Sequence, residues 1–177
     1  MTSSQISPDV YRAARETAVL TDRSDLGVLI FSGETRFDLI NRMSTQKVLA
    51  MPKGTGTATV FTTDIGRIID RLLLYATNSK LYALTSENNN DTIARYLMRF
   101  VFFRDDFHIQ DVTNDTVIFG VYGPQARQKL VQAGFPDEDL PLHHWRDVQF
   151  GDVTAYLHRT DPIHGDGYFV MGQEKDR

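Results

Sequence analysis

The sequence predicts an α+β fold in which strand meanders are interleaved with single helices. Three observations lead there. Thr57 to Leu84 reads as strand, tight turn, strand, turn, strand, with no helical stripe inside it. Helical stripes occur one at a time between strand-rich runs, an order that favours α+β over a doubly wound parallel sheet. No low-complexity stretch or linker divides the 177 residues, so residues 1–177 are expected to form one domain.

In chain order, the first helix is expected at Pro8 to Ala18. Ser7 caps it, Pro8 sits in the first turn and Asp9 lies at the positive end of the helix dipole. Leu26 to Phe31 is a short apolar strand closed by Ser32-Gly33. Glu34 to Ser44 is a second helix, with Phe37, Leu39, Ile40 and Met43 inward. Pro52 and Gly54 mark a connection over 51–56. In the meander, Thr57, Thr59 and Phe61 alternate with Ala58, Val60 and Thr62 at the period of a strand. Asp64 and Gly66 bracket a turn. The consecutive Leu72-Leu73-Leu74 predicts that Arg67 to Tyr75 is a strand covered on both faces. Asn78-Ser79-Lys80 turns into Leu81 to Leu84. A helix over Asp91 to Phe103 carries Ile93, Tyr96, Leu97 and Phe100 as a core stripe. Strands follow at Phe107 to Val112 and Thr116 to Tyr122. Gly123-Pro124 opens a helix that runs through Leu130 and Val131 to Gly134, with an N-terminus expected to be open. Pro136 to Trp145 is a surface connection. Val148–Phe150 and Val153–Leu157 form a hairpin over Gly151-Asp152. The last strand is Tyr168 to Met171.

Composition narrows the functions. The chain has no cysteine, which excludes disulfides, thiolate metal sites and a Cys nucleophile within it. A net charge of −4 is the wrong sign for a basic nucleic-acid stripe. The opening MTSSQISPDV lacks a basic segment followed by an apolar core, and no run of about 18 apolar residues exists. A cytoplasmic location is expected, with neither membrane nor nucleic acid as partner. His108, His143, His144, His158 and His164 include no pair at the i, i+4 spacing of a helical zinc site, so no metal is expected. No G-x-S-x-G, P-loop or dinucleotide fingerprint occurs.

One residue stands out. Asp70 lies inside an otherwise aliphatic strand, where an acid is costly unless it is hydrogen-bonded, paired or facing a cavity. Arg67 and Arg71 are near enough for a structural ion pair, which would account for it equally well. The expectation carried forward is that Asp70 faces a concave pocket.

Four segments, in order, resemble the glycine-cleavage T-protein (aminomethyltransferase) family, which includes folate-binding proteins of the YgfZ type. Ala18-Val-Leu-Thr-Asp-Arg-Ser24-Asp-Leu-Gly27 with Ile30-Phe-Ser-Gly33 is similar to "G-L-x-D-x-S-H-x-G … V-x-G". Phe37 to Val48 is similar to "F-L-Q-x-L-x-T-N-D-V". Thr63-Asp-Ile-Gly66-Arg-Ile-Ile-Asp70-Arg-Leu-Leu-Leu-Tyr75 is similar to "x-x-x-G-G-x-x-D-D-L-x-V-Y". Asp111-Val-Thr with Val121-Tyr-Gly123-Pro124-Gln-Ala126 is similar to "D-V-S … L-Q-G-P-x-A". A weaker fifth is Arg159-Thr160 with Gly165-Asp166-Gly167-Tyr168, beside "R-T-G-Y-T-G-E-D-G-F-E". The run Tyr96 to Asp106 leans toward the YgfZ branch.

The resemblance implies interleaved α+β subdomains of the aminomethyltransferase folate-binding type around a cavity, and a role in one-carbon metabolism. Tetrahydrofolate is the implied ligand, with Asp70, Asp166, Tyr75 and Arg159 as candidate folate contacts and Asp70 as candidate catalytic acid. Of the family's "D-D" pair, Asp70 is kept and the second position is Arg71. The family's "T-N-D-V" is Thr45-Gln46-Lys47-Val48 here, and its Asn after the third meander strand falls on Thr85. The chain is about half the family's usual length and ends before the Cys-containing motif of the YgfZ branch. It reads as an N-terminal fragment or a truncated member, with a further domain or partner protein possible. A tetrahydrofolate-binding module ranks first, a YgfZ-like iron–sulfur maintenance factor or scaffold second, and a competent aminomethyltransferase third.

Overall fold

The structure, a computed structural model, describes residues 7–176. Its order is α1 (Pro8–Glu16), β1 (Val19–Asp22), β2 (Leu26–Ser32), α2 (Arg36–Met43), β3 (Gly56–Thr62), β4 (Ile68–Ala76), β5 (Leu81–Glu87), α3 (Asn90–Met98), β6 (His108–Asp111), β7 (Thr116–Gly123), α4 (Ala126–Gln132), β8 (Trp145–Phe150), β9 (Val153–Arg159) and β10 (Asp166–Gln173). All strand pairs are antiparallel, and the α+β expectation holds.

Two five-stranded sheets form, ordered β1-β7-β10-β9-β8 and β3-β4-β5-β2-β6. They face each other. Leu26, Val28, Leu73, Tyr75 and Leu84 of the second sheet share a buried cluster with Ile118, Tyr122, Trp145, Phe169 and Met171 of the first. The far side of the second sheet is covered by α2 and α3, where Leu39, Ile40, Ile93 and Leu97 meet Leu29, Phe31, Leu72 and Leu74. The far side of the first sheet is covered by α4, with Ala126 and Leu130 against Val121, Leu157 and Tyr168. Leu72 and Leu74 thus point to helices while Leu73 points to the opposite sheet, which is why that run is apolar at every position. Trp145 stitches the sheets together by donating from Nε1 to the Ala76 carbonyl at 3.0 Å.

Several boundaries differ from the sequence expectation. Ser7 does cap α1, its Oγ accepting from the Asp9 N–H at 3.3 Å, but the helix ends at Glu16 so that β1 can form beside β7. Helix α3 stops at Met98, short of Phe103; Arg99 and Phe100 bond three residues back, tightening the last turn before the chain leaves. Helix α4 begins at Ala126 with Gln125 as its cap residue and no side-chain cap, so Gly123-Pro124 ends β7 rather than opening the helix. Gly123 is held at φ 139 with the Thr17 carbonyl only 2.4 Å from where a Cβ would stand. Strand β8 starts at Trp145, earlier than Val148, and its two-residue turn into β9 is closed by Gly151 at φ 58. Among the described residues no helix is long and apolar enough to cross a membrane.

Candidate ligand cavity at the seam of the two sheets

Strand β4 positions the residues on which the sequence argument turned. Opposite β3 its register slips, Phe61 pairing Asp70 and Thr62 pairing Ile68, so β4 carries one extra residue there. From Asp70 onward side chains alternate regularly. Asp70 follows Leu72 and Leu74 toward the helix side, and Arg71 follows Leu73 toward the opposite sheet.

Asp70 is 4% exposed. Its Oδ1 accepts from the Arg71 N–H at 2.8 Å and from Ser86 Oγ at 2.5 Å, and its Oδ2 accepts from the Ser86 N–H at 3.0 Å. The β4–β5 ladder pairs only as far as Leu73↔Leu84 at this end. Beyond that point the two strands are joined by the Asp70 carboxylate in place of backbone bonds. The expectation that Asp70 faces a pocket is therefore corrected: the carboxylate is saturated by local donors and turned away from the seam. Nor is it half of an ion pair with Arg67 or Arg71.

The concave site lies beside it. A cavity of about 300 Å³ opens between the sheets. Arg71 and Leu73 of β4, Thr85 and Ser86 of β5, Tyr122 of β7 and Phe169 of β10 line it, with Arg23 and Asp161 at its rim. Of the "D-D" positions it is the second, Arg71, that meets the cavity. An acid nonetheless reaches the cavity from the other sheet. Asp161, on the β9–β10 connection, holds Arg71 Nη2 by Oδ2 at 2.5 Å and stands 3.8 Å by Oδ1 from His143 Nε2. His143 sits at φ 62, in the left-handed region. Burial holds its pKa below the ordinary value; Asp161 pulls it up, and Arg71 and His144 push it down. Arg23 is tied to Asp25 at 3.3 Å and Glu87 at 3.5 Å. The rim is thus a chain of paired charges over an aromatic and aliphatic floor.

The other candidates do not converge with Asp70. Asp166 and Arg159 pair with each other, Arg159 Nη2 to Asp166 Oδ1 at 2.6 Å, and the guanidinium lies 4.7 Å above the Tyr168 ring. Tyr168 belongs to the cluster under α4, so this pair shares the outer face of the first sheet. Tyr75 lies deeper between the sheets, 1% exposed, its ring 4.1 Å from that of His158. The Tyr75 hydroxyl and both His158 ring nitrogens are buried without a hydrogen-bond partner. Such groups cost about 1–3 kcal/mol each when left unmade. Burial pushes the His158 pKa down to about 3 and raises that of Tyr75.

Ser86, Tyr122, His143 and Asp161 escaped the sequence reading. Asp161 left one trace: an acid between Thr160 and Pro162, next to the Arg159-Thr160 motif, in a segment otherwise legible only as a turn.

A sandwich of two antiparallel sheets with helices outside and a polar-rimmed cavity at the seam defines an α+β module. Residues 3–174 match the GCVT N-terminal domain, and the chain belongs to that family. It is 25% identical over 171 residues to an aminomethyltransferase of Bacillus licheniformis, covering 94% of this chain and 46% of that protein. A chloroplastic protein of Arabidopsis thaliana described as a transferase is 27% identical over 119 residues, 67% of this chain and 28% of that protein. The crystal structure of the glycine cleavage system aminomethyltransferase T from Bartonella henselae superposes with a TM-score of 0.80 at 17% identity, covering 92% of this chain and 44% of that one. The chain spans less than half the length of these relatives.

Proposed function

We propose that this chain is a tetrahydrofolate-binding domain of the T-protein type that holds the ligand at the seam cavity without being a complete transferase. The observation that carries the reading is Arg71: the cavity-facing member of the acid pair is a cation locked to Asp161. The family role in one-carbon chemistry supports folate as the ligand. The cavity is at the lower limit of size for a small-molecule site, and its Tyr122 and Phe169 rings suit a flat pteridine. Asp161 and the Ser86 and Thr160 hydroxyls supply acceptors for an aminopyrimidine edge, and Arg71 holds the Asp161 carboxylate in place beside it. An acid positioned to assist one-carbon transfer would have to be Asp161, and its engagement with Arg71 argues against that. Family members extend well beyond this length, so a further domain or partner protein completes the site in this proposal. None of the relatives named above is described as an iron–sulfur maintenance factor.

The test is calorimetric titration with 5-formyl-tetrahydrofolate. Saturable binding with a Kd of about 1 mM or tighter is expected, about −4 kcal/mol or better. Arg71→Ala and Asp161→Asn should each weaken it roughly fivefold to tenfold, the loss of one charge-assisted contact. No saturation by the parent protein removes the folate reading; binding untouched by both variants moves it to another cavity.

A further inference from the structure

The layer between the sheets opens a second time, at the end opposite the seam cavity, and the two openings share no lining residue. Along β2, β5, β7 and β10 the seam meets Leu26, Leu84, Tyr122 and Phe169, while this opening meets Ile30, Tyr82, Thr116 and Met171. It encloses about 440 Å³, inside the range of about 300–1,000 Å³ usual for small-molecule sites. Strand register decides which side chains face it. Tyr82, Val112, Tyr156 and Met171 belong to the apolar cluster between the sheets, and Ile30 is in step with Val28 of that cluster, so these five form the floor. Gln110 stands directly opposite Ile30 and shares its face. Gln173 lies two residues beyond Met171, opposite Thr116, and so shares the face of Met171. The two glutamines therefore flank the mouth, one from each sheet. Both are exposed, and neither side-chain amide is bonded to another described residue.

We propose that this opening binds an aminopurine base, with its rings on the tyrosine-bearing floor and its amino edge against the Gln110 and Gln173 amides. The floor is the first argument. Tyr82 comes from one sheet and Tyr156 from the other, both half-buried, so aromatic surface from two sides and the Met171 thioether border the space. Burial, with Tyr156 nearby, raises the Tyr82 pKa, so the phenol stays neutral. The mouth is the second. A glutamine amide sets a donor beside an acceptor. That is the complement of adenine's amino group beside a ring nitrogen, the pair that glutamine reads in the major groove of DNA. Charge is the third. The rim carries two acids, Asp115 and Glu174, against one base, Lys175, so no excess of positive charge draws in a phosphate or carboxylate. The chemistry fits the uncharged base rather than its phosphorylated forms.

The test is calorimetric titration of the full chain with adenine, with indole as a flat two-ring control that lacks the amino edge. Adenine should saturate with a Kd of about 1 mM, as expected of a small ligand, and indole should bind at least several-fold more weakly. Gln110→Met and Gln173→Met keep the length of the side chain and remove the amide. Each should weaken adenine roughly threefold to tenfold, the worth of one neutral hydrogen bond, and leave indole unchanged. Both positions are exposed, so the variants should fold as the parent does. Neither should alter the binding of 5-formyl-tetrahydrofolate, which separates this site from the seam cavity. Failure of adenine to saturate, indole binding as tightly as adenine, or adenine binding untouched by both variants would overturn the proposal. Loss of 5-formyl-tetrahydrofolate binding in these variants would place folate in this opening and would overturn it as well.

Discussion

Asp70 to alanine is the substitution on which the account of β4 stands. The carboxylate accepts three hydrogen bonds, from the Arg71 and Ser86 backbone N–H groups and from Ser86 Oγ. It sits at 4% exposure, past the last backbone pair of the β4–β5 ladder. Hydrogen bonds to an ionised acceptor are worth about 1.5–3 kcal/mol each. Ser86 is exposed, so water recovers most of what its hydroxyl and N–H lose. The net cost should be about 2–4 kcal/mol, and for a chain of this size that lowers Tm by roughly 5–15 °C. Asp70→Asn should cost less, about 1–3 kcal/mol, because it keeps one acceptor and turns the other into a donor facing an N–H. The assay is urea denaturation of both variants beside the parent. An Asp70→Ala protein within about 0.5 kcal/mol of the parent, the range of an ordinary surface change, would refute the clasp assigned to this carboxylate.

Arg71→Ala should leave the urea midpoint nearly unchanged, a shift of about 1 kcal/mol or less, because its ion pair with Asp161 is half-exposed; a larger loss would mean the pair is structural. His158 should make folding pH-dependent. Its folded pKa of about 3 lies below the unfolded 6.5, so the unfolded chain takes up the proton first and stability falls as pH drops from about 6.5 toward 3. Between pH 7 and 5 the parent should lose about 2 kcal/mol more than His158→Phe, measured by denaturant titration at each pH; equal losses would place the ring in contact with water. Gly33→Ala should cost about 3 kcal/mol or more, since φ is 99° and a Cβ would lie 2.1 Å from the Asp106 carbonyl oxygen; thermal unfolding checks it.

The sequence carried the fold through its periodicities and lost the site at its loops. Leu72-Leu73-Leu74 announced a strand with two covered faces, and the chain provides helices on one side and a sheet on the other. Strand β1 is not legible in the sequence because Val19–Asp22 is four residues long and half-exposed, too short for alternation to show. Trp145 reads as part of a connection because its strand has one buried residue, at its first position. Asp70 was noticed for a sound reason, an acid among aliphatics, and its burial is satisfied by hydrogen bonds rather than by a pocket. Which of Asp70 and Arg71 meets the cavity depends on one residue of register, which the extra residue in β4 sets and no motif encodes. Asp161 and His143 approach from the loops of the first sheet, and Arg71 and Asp161 are separated by 90 positions in the chain.

The order of strands also has a consequence for how the chain reaches its folded state. Every strand of the β3-β4-β5-β2-β6 sheet comes from one uninterrupted segment, Leu26 to Asp111, while the other sheet joins β1 to strands that begin at Thr116. The β3-β4-β5 meander closes over short turns, while β2 joins β5 across at least 50 residues (Phe31↔Leu81) and β6 across at least 76 (Ser32↔His108), each with four or more residue pairs in return. Pairing Val19–Asp22 with Phe119–Tyr122 closes a loop of about 100 residues, an entropic cost that rises slowly with length yet returns only four residue pairs. Strand β1 should therefore be the last piece to dock and the first to detach, with amide protons that exchange ahead of those in β4 and β5. When it detaches, β7 becomes an open edge, and the backbone groups of Thr116–Gly123 that faced β1 are exposed for pairing with another strand.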